Sequence, residues 1–259
     1  MLILASTKPD GVFQQALWIF ENNWQLFWYG IKITLLLAVC GTLIGLLIGL
    51  LLGGMRAVKI EERDAMPVKV LKKIMHLFVG FYVWIFRGTP MMVQAMIIYH
   101  SLRSILNWTP VVAGIVIISV NTGAYMAEIV RSGIQSIDKG QYEAARSLGM
   151  TSTQTMMSII LPQAIRNAFP SIGNEFIVNI KDSSMLNVIG VIEVYFQTSS
   201  VAGSVMLYVP TFLISALIYL LLTTIVTQIL SYIEGRMNMT KTSGPSSSTV
   251  PLERQGSTL

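Results

Sequence analysis

Two apolar stretches of this sequence carry polar side chains at the spacing of one helix face. Intervals of three and four residues place side chains on a single stripe of a helix. The first set comprises Glu175, Asn179 and Asp182 with Lys181 beside them, and the second comprises Asn121, Tyr125 and Glu128. Carboxylates accept hydrogen bonds from a cation, whereas an ammonium group donates them to an anion. The two sets therefore favour a binding site for a small molecule that carries both charges.

A structural role is the alternative for the same charged side chains. Lys181 and Asp182 would then satisfy one another or neighbouring helices. Glu128 would pair with Arg131, which follows it by three residues and so lies on the same helix face. The sequence leaves both alternatives open.

The surrounding sequence is typical of a protein embedded in lipid. Hydrophobic residues make up 53% of the chain and charged residues only 12%, whereas an ordinary soluble domain has about a quarter charged residues. Residues 33–55 and 194–233 contain no charged side chain, and each stretch exceeds the roughly 20 residues that cross a bilayer. Ionisable residues in such a protein are costly, so they are expected to pair or to face water or substrate.

The apolar pattern predicts an all-α integral membrane protein with about five transmembrane helices. Spans are expected at residues 33–55, 90–106, 110–129, 169–194 and 207–233. Residues 68–82 have the pattern of an amphipathic helix on the inner membrane surface, and Arg87 to Pro90 interrupt the apolar sequence after it. Four glycines in the first span recur every fourth residue and predict close packing against another helix. They are Gly41, Gly45, Gly49 and Gly53.

The basic residues predict the orientation and the domain limits. Thirteen of the 18 lysines and arginines fall within residues 56–73, 131–166 and 236–254. Such segments lie in the cytoplasm by the positive-inside rule, which places the N-terminus outside and the C-terminus inside. We expect an extracytoplasmic or interfacial segment at residues 1–23, a membrane domain at 24–235 and a flexible cytoplasmic tail at 236–259.

The polar connection at residues 131–168 is patterned as two short helices. Asp138 with Gln141 can cap the first helix, and Gly149 suits the left-handed position that ends it. Thr151 with Gln154 repeats the capping signal for the second. A capped helix held in the cytoplasm by a membrane protein is suited to contact another protein.

The same connection resembles the EAA loop of binding-protein-dependent ABC permeases, at about residues 140–162. The matching positions are Glu143-Ala144-Ala145, Gly149 six residues after the glutamate, Ile159 and Leu161-Pro162. Residues 86–90 and 121–134 are similar to the polar amino-acid subgroup of that family. The resemblance covers roughly residues 24–235.

The resemblance implies a permease subunit that moves polar L-amino acids across the bacterial inner membrane. Its EAA helix would couple to a separate ATPase through Gly140, Glu143, Ala144, Ala145 and Gly149. Some relatives hold their amino acid against the fourth span, which favours Glu175 and Asp182, with Asp182 as the partner of the substrate ammonium. The implied partners are two copies of an ATP-binding subunit, a second permease, identical or homologous, and an extracytoplasmic amino-acid-binding protein.

The resemblance also implies that this chain carries no catalytic residue and no cofactor, with ATP and magnesium on the ATPase. The sequence has no GxxxxGK[ST] phosphate loop of its own, and neither H-E-x-x-H nor G-x-S-x-G occurs. A self-contained secondary transporter or channel for small polar solutes is the alternative function, since it would also explain charges within the membrane. Dependence of uptake on ATP separates the two.

Overall fold

Helices form throughout the apolar runs, and the predicted all-α fold class is confirmed. The computed structural model describes residues 9–239 except 59, 61 and 63. The α-helices of these residues are α1 (Val12–Ala57), α2 (Met66–Gly88), α3 (Met91–Leu106), α4 (Pro110–Gln135), α5 (Lys139–Ser147), α6 (Ser152–Thr155), α7 (Leu161–Asp182), α8 (Val194–Val205) and α9 (Tyr208–Met239). A π-helical segment (Met156–Ile160) joins α6 to α7, and a 3₁₀-helix (Ser183–Ile189) follows α7. Of the predicted tail, residues 236–239 continue α9, and the rest lies outside the described residues.

The first helix starts well before the predicted span at residue 33. α1 has 46 residues, about 69 Å at 1.5 Å per residue, against roughly 30 Å of bilayer hydrocarbon. It passes residue 24, the expected start of the membrane domain, without a break. The early part is helical because Ile19 and Phe27 are buried in a cluster with Val201 of α8 and Ile214 of α9. The apolar partners of this segment come from the other end of the sequence.

The glycine stripe of α1 packs against α4, as predicted. A side chain on any of the four glycines would collide with α4. At Gly49 the added Cβ would lie 2.3 Å from the Cβ of Met126, and at Gly45 it would lie 2.8 Å from the Cβ of Thr122. Absence of a side chain therefore lets the two helix backbones approach each other closely.

Gly49→Ala is expected to destabilise the protein, because the methyl group forces α1 away from α4. Overpacking of this kind typically costs about 1–3 kcal/mol. Gly54→Ala in the same helix is the matched control, since an added Cβ there meets no atom within 4 Å. The control should be neutral or slightly stabilising, because alanine favours a helix over glycine by up to about 1 kcal/mol. Equal melting temperatures of the two purified variants would contradict this packing.

The fourth predicted span is broken. α7 ends at Asp182, the 3₁₀-helix runs to Ile189, and Gly190 takes a left-handed conformation with φ of 84°. The helical segment up to Ile189 and α8 are bent by 56° relative to each other. The predicted span at residues 169–194 is therefore wrong in its continuity: the helix begins earlier in the chain and stops within the apolar region.

Three helices of the described chain are each long and apolar enough to cross a membrane: α1, α4 and α9. The bent pair made of residues 152–189 and α8 brings the number to four if it counts as one span. α3, the predicted second span, has 16 residues, about 24 Å of helix. It is therefore shorter than the roughly 30 Å of bilayer hydrocarbon. The total of five spans and the orientation of the chain stay predictions.

The helix predicted before the Arg87–Pro90 interruption is confirmed as α2, and its position on the inner membrane surface stays a prediction. Val79 and Val83 are its buried residues, whereas a long apolar face remains exposed on this chain. α2 ends at Gly88 and α3 begins at Met91, so the interruption separates two helices. The Tyr82 hydroxyl donates to the Val120 carbonyl at 2.5 Å, which attaches α2 to α4.

Candidate functional site

Helix α5 is a short, well-capped element on the surface of the chain. The Asp138 carboxylate accepts a hydrogen bond from the Gly140 N–H at 2.7 Å, which caps the N-terminus as predicted. The predicted contribution of Gln141 is not found, because no capping box forms at this helix start. At the C-terminus Met150 N–H donates to Ala145 O and Gly149 N–H donates to Arg146 O. These bonds form a Schellman motif, and Gly149 has the positive φ of 81° that the motif requires.

Four of the five predicted coupling residues lie on this helix and Gly149 lies just beyond its end; all but one of the five are exposed. Gly140, Glu143, Ala144 and Gly149 are exposed, whereas Ala145 is buried. Leu148, a large apolar side chain next to the turn, is 83% exposed. α5 therefore presents a rigid surface in which charged, small and apolar residues alternate.

Short links connect α5 to the long helix α7. Thr151 and Gln154 form a complete capping box at the start of α6, as predicted. The Tyr142 hydroxyl of α5 donates to Ser152 Oγ at 3.2 Å. The second predicted helix does not end within the polar connection at residues 131–168, because the π-helical segment carries it into α7 without a break. A displacement of α5 would therefore reach α7 directly.

A cleft of about 420 Å³ lies between α4 and α7, with the end of α2 at its side. Its polar lining comprises Arg87 of α2, Tyr125, Glu128 and Ser132 of α4, Ser136 at the end of α4, and Asn167, Ser171 and Glu175 of α7. The Arg87 guanidinium lies over the Tyr125 ring, 5.3 Å from its centroid. A cation and carboxylates therefore share one concave site on a membrane helix pair.

Glu128 takes the structural role that the sequence left open. Its carboxylate accepts from Arg131 Nε at 3.0 Å and from Arg56 Nη1 at 2.9 Å. The predicted pair with Arg131 is confirmed, and Arg56 adds a link between α1 and α4. Two guanidinium groups thus offset the charge of Glu128.

Two of the candidate binding residues form hydrogen bonds that join helices. Asn179 is 3% exposed, and its side chain donates to Thr42 Oγ1 of α1 and accepts from Thr122 Oγ1 of α4, each at 2.9 Å. Asn121 Nδ2 donates to Gln94 Oε1 at 2.9 Å. Asn179 and Asn121 are therefore held in hydrogen bonds that position α1, α3, α4 and α7.

Tyr125 and Glu175 are the candidate binding residues that line the cleft. Lys181 is exposed and Asp182 is half-buried at the last turn of α7, and neither side chain belongs to the cleft lining. Glu175 is half-buried, and no side chain among the described residues donates a hydrogen bond to its carboxylate. Of the two predicted carboxylates, Glu175 has the better position for contact with a ligand.

Two important polar residues had no place among the sequence-based candidates. Arg87 was interpreted as an interruption of the apolar sequence, although its charge beside a helix break was a signal. Glu193 is fully buried, and its carboxylate accepts from the N–H groups of Tyr195 and Phe196 and from the Tyr219 hydroxyl, at 2.6–2.9 Å. Glu193 caps α8 and joins it to α9, so it stabilises the chain after the break.

Comparison with known proteins agrees with this architecture. Residues 65–239 match the family model of the binding-protein-dependent transport system inner membrane component. The chain is 34% identical to a probable glutamine ABC transporter permease protein of Bacillus subtilis over 85% of this chain and 96% of that protein. It is also 39% identical to an arginine transport system permease protein of Bacillus subtilis, over 61% of this chain and 73% of that protein.

Solved structures give the same result. The crystal structure of an amino acid ABC transporter with histidines is similar with a TM-score of 0.73 and 37% identity, over 84% of this chain and 96% of that one. The inward-facing MetNI methionine ABC transporter shares the fold, with a TM-score of 0.72 and 20% identity over 84% of this chain and 98% of that one. The matched family model, the relatives and the helical architecture lead to one conclusion: this chain belongs to the family of binding-protein-dependent transport system inner membrane components.

Proposed function

We propose that the chain is the translocation subunit of an ATP-driven importer for polar L-amino acids. The observation that carries the proposal is α5, a capped and exposed helix directly linked to a helix that lines a polar cleft. The chain has no phosphate-binding loop of its own, so ATP hydrolysis requires a second protein. α5 is the surface through which that protein would act.

Coupling follows from the connection between α5 and α7. An ATPase that moves α5 would pull on the start of α7 through the Thr151 cap and the π-helical segment. α7 carries Asn167, Ser171 and Glu175 into the cleft. Movement of α7 relative to α4 would change the width of the cleft and so its access from one side of the membrane.

Polar amino acids are the substrate class that fits the cleft and the relatives. The similar permeases of Bacillus subtilis have names that refer to glutamine and to arginine transport. The lining combines hydroxyl, amide and charged groups, and the volume of about 420 Å³ lies within the roughly 300–1,000 Å³ of small-molecule sites. Polar and ionisable side chains on membrane helices are expected to line the path that a substrate takes across the membrane.

The proposed assembly has two ATP-binding subunits, two permeases and an extracytoplasmic amino-acid-binding protein. A second permease, identical or homologous, would cover the polar face of α7, where Ser171, Asn174 and Lys181 are exposed on this chain. Exposed polar side chains on a membrane helix are costly in lipid and inexpensive against water or a partner. This face is the expected boundary between the two permeases.

Purification of the tagged chain in mild detergent from its own host tests the proposal. Mass spectrometry should identify an ATPase with a GxxxxGK[ST] loop in stoichiometric amount. The same experiment shows whether one or two permease sequences are present. Recovery of the chain without an ATPase, in an active form, would instead favour the self-contained transporter.

A further inference from the structure

A second cleft, of about 290 Å³, lies between the start of α7 and the end of α9. Its lining comprises Arg166 of α7 and Tyr232, Ile233, Arg236 and Met237 of α9. Among the described residues this lining has two arginines from two helices and no carboxylate. None of these residues belongs to the polar cleft between α4 and α7, so the second cleft is a separate cationic site.

The packing of α7 on α9 determines the position of this cleft. A Cβ added to Gly173 of α7 would lie 3.1 Å from Leu230 Cδ1 of α9, so the two helices are in close contact at that level. Arg166 lies seven residues before Gly173, and Met237 lies seven residues after Leu230, which is about two helical turns in each case. The helices are therefore antiparallel here, and each contributes one arginine to the cleft.

Both arginines have hydrogen-bond donors that can reach a ligand. Arg166 is exposed and forms no hydrogen bond or ion pair with a described residue. The Arg236 guanidinium lies over the Tyr232 ring, 5.2 Å from its centroid. A guanidinium held by its face keeps its N–H donors at the edges. The cleft is therefore suited to an anion with several acceptor oxygens.

The charge pattern of α9 places the cleft at the level of the membrane surface. α9 has no charged residue before Glu234, so Glu234 and Arg236 mark the end of its apolar span. An aromatic side chain such as Tyr232 favours the same interface. The orientation predicted from the basic residues places this end on the cytoplasmic side, where the leaflet carries anionic lipids.

An exposed apolar stripe of α9 leads to the cleft. Its members are 53–63% exposed and recur at intervals of four, four and three residues: Leu221, Ile225, Ile229 and Tyr232. Arg236 follows four residues later. Such intervals lie on one face of a helix. This face can therefore contact an acyl chain whose headgroup lies at the arginines.

We infer that this cleft binds the phosphate group of an anionic phospholipid, with Arg166 and Arg236 as the donors and an acyl chain along the exposed face of α9. The planar guanidinium suits a phosphate because it offers two parallel N–H donors, and basic pockets between membrane helices on the cytoplasmic side bind such headgroups. The apolar stripe favours a lipid over a free phosphate, which would need only the arginines. The inference is independent of the proposed function.

Native mass spectrometry of the purified full-length chain, together with any ATPase that co-purifies, tests this site. The probes are dioleoyl phosphatidylglycerol and dioleoylglycerol, which has the same acyl chains and lacks the phosphate. Wild type should bind phosphatidylglycerol at least about tenfold more tightly, because the diglyceride loses the charge-assisted hydrogen bonds. Arg166→Gln and Arg236→Gln should each weaken phosphatidylglycerol by about tenfold and leave dioleoylglycerol almost unchanged.

Arg103→Gln is the matched control. Arg103 also lies over an aromatic ring, 5.5 Å from the Tyr99 centroid, but it is not part of this cleft. This variant should bind both lipids as wild type does. Arg236→Lys keeps the positive charge and should retain most of the affinity that Arg236→Gln loses. Glycerol 3-phosphate, a soluble phosphate without acyl chains, should not displace the lipid at an equal concentration.

Three results would overturn the inference. The first is equal binding of the two lipids by wild type. The second is unchanged binding of phosphatidylglycerol in the glutamine variants, including the case in which they lose the ATPase, since the arginines would then contact that protein. The third is displacement of the lipid by an equal concentration of glycerol 3-phosphate, which would assign the cleft to a free phosphate. Where only one glutamine variant can be purified, that variant decides the second result.

Discussion

Gly149→Asp is expected to abolish ATP-driven transport while the protein still reaches the membrane. Gly149 ends α5 with a φ of 81°, and an added Cβ would meet no atom of this chain within 4 Å. An aspartate is strained at this positive φ, and its carboxylate would protrude into the surface proposed for the ATPase. Loss of a contact central to an interface typically costs at least about 2 kcal/mol, roughly a thirtyfold decrease in affinity.

Gly235→Asp provides the control for this variant. Gly235 is exposed near the end of α9, and an added Cβ there also meets no atom within 4 Å. The two variants add the same charge, but only Gly149→Asp adds it beside α5 and at a positive φ. Co-purification of the ATPase and uptake of labelled L-glutamine should both fail for Gly149→Asp and persist for Gly235→Asp. Normal uptake in Gly149→Asp would show that α5 does not couple the ATPase to transport.

Glu175→Gln is expected to lower the apparent substrate affinity about tenfold to a hundredfold with little change in thermal stability. The substitution keeps the shape of the side chain and removes a charge-assisted hydrogen bond, typically worth about 1.5–3 kcal/mol. Substrate-stimulated ATPase activity of the purified complex, measured beside its melting temperature, gives both quantities.

Asp182→Asn is the comparison variant for Glu175→Gln. Asp182 lies on the same stripe of α7 but outside the cleft lining, so its substitution should have the smaller effect on affinity. A lowered melting temperature with normal affinity in Glu175→Gln would identify Glu175 as a structural residue. A larger loss of affinity in Asp182→Asn than in Glu175→Gln would place the substrate nearer the end of α7.

Short sequence signals were sufficient to predict the elements whose geometry depends on a few neighbouring residues. The caps of α5 and α6, the left-handed Gly149 and the interruption after Arg87 each depend on a few neighbouring residues. The glycine stripe of α1 was also predictable, because a period of four residues specifies one face. Which helix packs on that face is not encoded in the period, and the structure identifies α4.

The candidate site was predicted only in part, because spacing gives a stripe on a helix but not its neighbours. Asn179 and Glu175 are four residues apart on α7, yet Asn179 contacts α1 and α4 while Glu175 faces the cleft. Arg87 reaches the same cleft from a helix that is distant in sequence. The break after Asp182 was missed because apolar residues continue on both sides of Gly190, and composition alone suggested one span.

Uptake of labelled L-glutamine into proteoliposomes that contain the permease–ATPase complex tests the central claim most directly. With the binding protein outside and ATP on the side of the ATPase, the substrate should accumulate against its gradient, and a non-hydrolysable ATP analogue should stop accumulation. The Gly149→Asp complex should behave as if ATP were absent. Accumulation that continues without ATP, or that is driven by an ion gradient through the permease alone, would contradict the claim that this chain is the translocation subunit of an ATP-driven importer.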